Sequence, residues 1–244
     1  NGMKQVNTLV IIPGWGGSAK TWEGFVSFVE KHIPNTVVHV IDLPCFGKEP
    51  CPSHVWGVAE YASFVKHKIV HLKKGRLFLF GHSFGGQVAA YLVARDQNIC
   101  DQLFLSGAAI YRSKHLLKRV FFGGLAKIGK ILFLIPFLKK YKNIARRVLY
   151  KTAHSPDYLK TSSVQKEIFK KVIREDISRD LLNILVHTTI IWGEKDTYTP
   201  LKHGKQIAEN IPNATLHIIP NGTHGLHLHQ KKAVTHIIDT VISA

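Results

Sequence analysis

The stretch Arg76-Leu77-Phe78-Leu79-Phe80-Gly81-His82-Ser83-Phe84-Gly85-Gly86 decides how the chain is read. Its apolar start is a buried-strand run, and Gln87-Val88-Ala89-Ala90-Tyr91 beyond it continue as a helix. Between them lies Gly81-x-Ser83-x-Gly85, the pattern of a nucleophile elbow. The spacing has a steric cause. To stand a serine hydroxyl clear of the backbone, the chain turns within a few residues, which forces Ser83 into strained φ/ψ. Strand and helix then pass so closely that the positions two before and two after the serine must be small, and Gly81 and Gly85 satisfy that. The helix points its N-terminus at the serine, where free N–H groups favour negative charge. A glycine-rich strand-to-helix turn with an incidental serine is the plainer alternative. The strand before and the helix after weigh against it.

Working outward, Leu9-Val10-Ile11-Ile12 is a continuous apolar run of the kind covered on both faces, and it ends in Pro13-Gly14-Trp15-Gly16-Gly17-Ser18. A helix follows from about Lys20 to Lys31, with Trp22, Phe25, Val26 and Val29 on one face. Thr36 to Ile41 is a second strand, running into Asp42-Leu43-Pro44-Cys45-Phe46-Gly47, and a helix is expected from about Trp56 to Leu72. After the elbow strand and its helix come strands at Leu103–Gly107, Thr188–Trp192 and Thr215–Ile219, with helices expected at about 201–211 and 229–242. This alternation predicts an α/β fold: a doubly wound, mainly parallel sheet of about six strands. Ligands in such sheets bind outside the carboxyl ends of the strands, where every loop of chemical interest lies.

The residues from Tyr111 to about Leu185 break the alternation with a helical pattern. They predict a helical lid at 111–185 inserted after the fourth strand, the core being 3–110 and 186–244. At 244 residues, one domain with an insertion is expected rather than two domains. Asn1 and Gly2 before Met3 read as an appended remnant, and no signal peptide is expected. Three cysteines, Cys45, Cys51 and Cys100, are too few and scattered for a disulfide framework, so reduced thiols and a cytoplasmic location are expected, a paired or redox-sensing Cys45 and Cys51 being the lesser alternative.

The charge balance is unusual: 33 Lys+Arg against 16 Asp+Glu give +17. Twelve of those positive charges fall between Arg112 and Lys151, a span without a single Asp or Glu. Lys127 and Lys130 interrupt its apolar run, and the uncharged piece 131–138 is far short of the ~20 residues that span a bilayer. A cationic lid over residues 111–151 would attract an acidic acyl carrier or an anionic membrane surface, giving a peripheral position at the membrane; a merely solvated basic face is the alternative. Basic residues without a recognisable module argue against nucleic acid.

The order of Pro13-Gly14-Trp15-Gly16, Asp42–Gly47, the elbow, Trp192-Gly193-Glu194-Lys195-Asp196 and Gly222-Thr223-His224-Gly225 resembles the α/β-hydrolase superfamily. On Gly14-Trp15-Gly16, Trp22 and the Asp42–Gly47 loop it is similar to the small lidded esterases, including the carboxylesterases that demethylate pimeloyl esters on acyl carrier protein. Ser83 is a poor nucleophile at neutral pH and needs a base within hydrogen-bond reach. His224 is the candidate base, in a Gly-bracketed loop after the last strand. Asp196, after the fifth strand, would fix the imidazole tautomer and stabilise the imidazolium. The order Ser83, Asp196, His224 is the superfamily's. Glu194 is the rival acid, nearer the strand and off the family position. The elbow supplies the backbone N–H of Phe84 to an oxyanion, and the resemblance assigns the second donor to Trp15.

Two departures stand out: Pro13 where a histidine often precedes the glycine, and Cys45 in place of a common glycine, which puts the backbone there in question. Serine rather than aspartate at 83 argues against the dehalogenase and epoxide-hydrolase branches. No cofactor and no metal are expected. His227 and His229 read as solvated or helix-start residues, His82 as packing beside the elbow, and Asp42 as a loop anchor. Phe121, Phe122, Phe133 and Phe137 of the lid are candidates to line an acyl pocket. The function these features predict is hydrolysis of a carboxylic ester or thioester, of a small molecule or an acyl carrier. Acyl transfer or carbon–carbon bond hydrolysis on the same residues is an alternative, as is a binding protein with a basic lid and no catalysis.

Overall fold

Strand β1 (Asn7–Ile12) shows why the sheet is covered twice: its residues alternate between two separate apolar clusters. Val10 and Ile12 face one side with Leu77 and Leu79 of β3 (Leu77–His82), while Leu9 and Ile11 face the other with Phe78 and Phe80. Every one of these side chains is fully or almost fully buried, each worth about 1.5–3 kcal/mol. The computed structural model describes residues 6–72, 75–111 and 163–244. The proposed lining residues Phe121, Phe122, Phe133 and Phe137, and the cations from Arg112 to Lys151, lie outside them.

With β2 (Thr36–Val40), β4 (Gln102–Ser106), β5 (Thr188–Gly193) and β6 (Ala214–Ile219), the sheet has six strands in the order β2-β1-β3-β4-β5-β6, every pairing parallel. Helix α1 (Ala19–His32) covers one face with Trp22, Phe25 and Val29. Helices α2 (Val58–Val70) and α3 (Phe84–Val93) cover the other with Tyr61, Val65 and Val88. The α/β class, the strand count and the double winding expected from the sequence are therefore present. Among the described residues no helix is long and apolar enough to cross a membrane.

Beyond the undescribed segment, α4 (Ser163–Val172) and a 3-10 turn (Ser178–Asn183) enter the same cluster as α2 and α3 through Ile168, Val172, Ile177 and Leu181. Polar contacts fix the seam. Gln87 of α3 is buried and donates from Nε2 to the carbonyl of Glu175 at 2.9 Å. The Glu175 carboxylate in turn accepts the Val58 N–H at 2.7 Å, across 117 residues of sequence. Val58 opens α2, so its N–H has no acceptor within the helix, and a carboxylate at that end also suits the helix dipole. The remaining elements among the described residues are α5 (Leu201–Asn210), the single-turn α6 (Leu226–His229) and α7 (Lys231–Ile242), whose Val234, Ile238 and Ile242 join the cluster under α1.

The expectation of reduced thiols at Cys45 and Cys51 is overturned: the two form a disulfide, while Cys100 is buried elsewhere. The loop doubles back, the Cys45 N–H donating to the Pro50 carbonyl at 3.3 Å, which brings the two Cα atoms to 4.1 Å. Cys45 takes up a left-handed backbone, which glycine adopts more readily than any other residue, at φ 76°. Asp42 anchors the same loop, accepting Ala19 N–H at 2.6 Å and Lys48 N–H at 2.9 Å.

Glu175→Ala leaves the start of α2 without its acceptor and should lower the unfolding free energy by about 1 kcal/mol. Urea unfolding followed by far-UV circular dichroism measures it; an unchanged midpoint would show that water caps the helix equally well.

Candidate active site

Ser83 sits between β3 and α3 at φ 53° and ψ −117°, a left-handed conformation that few side chains tolerate. Backbone hydrogen bonds hold it there. Its N–H donates to Ser106 O at 3.0 Å, and its carbonyl accepts from Ala109 N–H at 3.0 Å, Gly86 N–H at 3.0 Å and Gln87 N–H at 3.2 Å. The glycine spacing has the expected steric cause. A Cβ on Gly81 would meet Gly85 O and Gly86 Cα at 2.7 Å, and one on Gly85 would collide with Ile12 O. Phe84 is the first residue of α3, so its N–H has no intrahelical acceptor and lies beside the serine.

The loop after β1 reaches the same place. A Cβ on Gly14 would stand 3.0 Å from Ser83 Cβ. Trp15, next in sequence, is wedged edge-on among Phe46 at 4.8 Å and Phe84 at 5.7 Å, with Phe169 of α4 at 4.9 Å. The strand ends thus gather the elbow, the Trp15 turn and the disulfide loop around one point.

Asp196 and His224 meet after β5 and β6. His224 Nδ1 lies 2.7 Å from Asp196 Oδ2, and the Asp196 side chain is only 1% exposed. With the carboxylate accepting, the proton belongs on Nδ1 and the lone pair on Nε2. The carboxylate is clamped from its other side, Oδ1 accepting Tyr198 N–H at 2.8 Å and Thr199 N–H at 2.9 Å. Glu194, the rival acid, is turned elsewhere and accepts Asn221 N–H at 2.9 Å. Gly107 joins this pair to the elbow. A Cβ there would lie 3.1 Å from His224 Cε1 and Nδ1, while its neighbours Ser106 and Ala109 are the residues that bond the Ser83 backbone.

Two residues of the site were not singled out as such in the sequence. Tyr198 is exposed and stacks on the His224 ring, centroids 5.1 Å apart. Thr199 is buried, with its hydroxyl 2.9 Å from Asp196 Oδ2, 3.1 Å from Gly107 O and 3.3 Å from His224 Nδ1. A threonine before a proline reads as a helix entry, and no local pattern reveals the partners 92 and 25 positions away. Among the described residues, no group of three His, Cys, Asp or Glu side chains is arranged to hold a metal ion.

Residues 9–236 match the alpha/beta hydrolase family. The chain belongs to that family. This hydrolase is 23% identical over 248 residues to the 2-hydroxy-6-oxononadienedioate/2-hydroxy-6-oxononatrienedioate hydrolase of Cupriavidus pinatubonensis, covering 95% of this chain and 85% of that one. Its fold is shared with MGS-M2, an alpha/beta hydrolase enzyme from a Medee basin deep-sea metagenome library, at a TM-score of 0.74 and 20% identity over 99% of this chain and 90% of that one. An esterase from Exiguobacterium antarcticum superposes at a TM-score of 0.73 with 20% identity, covering 99% and 94%.

Behind His224 the hydrolase carries two more imidazoles. His82, the neighbour of Ser83, is buried with Nδ1 3.0 Å from Ser106 O, and its ring is 4.8 Å from that of His224 and 4.9 Å from that of His227. His227, expected to be solvated or at a helix start, is the second residue of α6 and lies flat on Trp22 at 3.8 Å, with a 4° interplanar angle. The helix-start alternative holds: α6 is a single turn pressed onto α1, and its second residue faces inward. His229 is exposed, as expected. Burial holds His82 well below the usual imidazole range, with His224 and His227 adding to the effect. Burial also pushes His227 down to about 4, assisted by His224 and His229.

An unfolded imidazole takes up its proton near pH 6.5, as a generic value, whereas His227 in the folded hydrolase resists until about pH 4. Between those values the unfolded chain binds more protons, so stability is lost as pH falls through that window. The gap corresponds to about 3 kcal/mol at most. His227→Phe keeps a ring on Trp22 and removes the titration. Urea unfolding at pH 7.5 and 4.5 should show a smaller acid loss in the variant than in the wild type; equal losses would place the acid sensitivity elsewhere.

Proposed function

We propose that this hydrolase cleaves carboxylic esters or thioesters through an acyl-enzyme on Ser83. The observation that carries the reading is the 2.7 Å contact of His224 Nδ1 with the buried Asp196 carboxylate, made beside a serine whose backbone stands at φ 53°. In this reading His224 Nε2 takes the Ser83 proton as the serine oxygen attacks the acyl carbon. The N–H groups of Phe84 and Trp15 then hold the oxyanion, in a site where such donors need no reorganisation. Collapse of the tetrahedral adduct expels the alcohol or thiol, which receives the proton back from His224. Water activated by the same imidazole then releases the acid and restores Ser83.

The aromatic wall of Trp15, Phe46, Phe84 and Phe169 beside the serine suits an apolar acyl group. The twelve cations from Arg112 to Lys151 suit a substrate delivered on an acidic acyl carrier, whose binding should then weaken steeply with salt. The relative from Cupriavidus pinatubonensis supports a second reading, carbon–carbon bond hydrolysis by the same three residues. Turnover of a 2-hydroxy-6-oxo-dienoate in preference to simple esters would favour it.

The test is kinetic. A p-nitrophenyl ester should give a burst with the wild type, and a fluorophosphonate should label Ser83. Ser83→Ala should lose both, with turnover down on the order of 10⁴-fold or more. Asp196→Asn should cost about 10³–10⁴-fold, while Glu194→Gln should stay within about twofold. Reversed effects of the two acid variants would move the acid role to Glu194, and no labelling of Ser83 would remove the acyl-enzyme.

A further inference from the structure

Among the described residues, Thr199 is the one buried hydroxyl that touches both partners of the Asp196–His224 pair, and its geometry asks more of it than helix entry requires. Its main chain is fixed at both ends, N–H to Asp196 Oδ1 at 2.9 Å and carbonyl to the Trp192 indole N–H at 2.8 Å. The hydroxyl is therefore held in place, within reach of three groups: Asp196 Oδ2 at 2.9 Å, Gly107 O at 3.1 Å and His224 Nδ1 at 3.3 Å. It has one proton and two acceptors for it. Donated to Asp196 Oδ2, the proton shares the very oxygen that accepts His224 Nδ1–H, and it disperses the charge that the carboxylate presents to the imidazole. Donated to Gly107 O, it leaves Oδ2 to the imidazole alone and turns an oxygen lone pair toward Nδ1–H. The two positions differ by a rotation about one bond.

We infer that Thr199 is a positioning residue whose hydroxyl proton moves from Asp196 Oδ2 to Gly107 O as His224 becomes the imidazolium. The inference rests on the catalytic reading above. In the resting site the hydroxyl proton offsets part of the charge that Asp196 Oδ2 presents to His224 Nδ1–H. As the serine proton arrives at Nε2, the rotation restores the full carboxylate charge opposite Nδ1. No bond other than hydrogen bonds is made or broken, and the proton stays on the threonine oxygen throughout. The other titratable groups facing the pair are His82 at the end of β3, His227 in α6, Tyr198 stacked on the imidazole, and His203 of α5, which senses the Asp196 charge. They are common to wild type and variant, so a difference between the two belongs to the hydroxyl.

The experiment compares Thr199→Val and Thr199→Ser with the wild type, using the pH profile of kcat/KM for a p-nitrophenyl ester and the rate of Ser83 labelling by a fluorophosphonate. Without the hydroxyl, Asp196 holds the imidazolium more tightly. The acid limb of Thr199→Val should therefore move up by about half a pH unit or more. Its plateau kcat should fall about tenfold, with KM little changed, and Thr199→Ser should restore both limb and plateau. An acid limb in Thr199→Val that overlays the wild type, or a loss confined to KM, overturns the inference. If Thr199→Val fails to fold, Thr199→Ser decides: a wild-type profile supports the hydroxyl's role and a displaced limb refutes it. A wild type that is not labelled at Ser83 removes the catalytic reading and this inference together. A labelled wild type with an unmoved valine profile removes only the role of Thr199.

Discussion

One strained residue governs the architecture around the site. Ser83 can occupy the left-handed region only because four backbone hydrogen bonds, to Ser106, Ala109, Gly86 and Gln87, leave it no other conformation. Those bonds require β4 beside β3 in parallel register, which in turn requires the apolar layers on both faces of the sheet. Conformations of this kind cost of order 1–3 kcal/mol and persist where the surroundings over-determine them. Here the over-determination is visible: a Cβ on Gly81 would lie 2.7 Å from the Gly85 and Gly86 backbone, and one on Gly85 would collide with the Ile12 and Pro13 carbonyls.

Around that point the site separates into a rigid polar half and an aromatic half. The polar half is Asp196, with its four donors from Tyr198, Thr199 and His224, tied to the sheet by Gly107 and Trp192. The aromatic half is Trp15 against Phe46, Phe84 and Phe169. Each half draws on elements far apart in sequence, so neither exists until the sheet is assembled. The disulfide loop serves the aromatic half, because Phe46 follows Cys45 directly and the Cys45 carbonyl accepts the Gln165 side chain at 3.3 Å.

What could be read from the sequence follows from the range of the interactions involved. The alternation of Leu77, Phe78, Leu79 and Phe80 between two faces, and the need for glycine at 81 and 85, are local consequences of strand period and elbow sterics, and both were legible. The preference for Asp196 over Glu194 rested on family position; of the two, Asp196 contacts His224 and Glu194 accepts the Asn221 N–H. Side-chain partners set by tertiary packing were not legible. Nothing near His227 announces Trp22, some 200 positions away, and three scattered cysteines left a Cys45–Cys51 pair as the lesser alternative to free thiols. Thr199 and Glu175 belong to the same class. Each looks like an ordinary polar residue at a helix boundary until its distant partner is known.

The reach of Glu175 to Val58 and of Gln87 to Glu175 carries a lesson for recombination within the family. A chimaera that borrowed the residues between β4 and β5 from a cousin by splicing at position 185 would discard the acceptor that starts α2 and strand a buried amide in α3. Splicing ahead of α4 would keep both contacts intact, so the natural joint for grafting lies about twenty-five residues before the point where the strand alternation resumes.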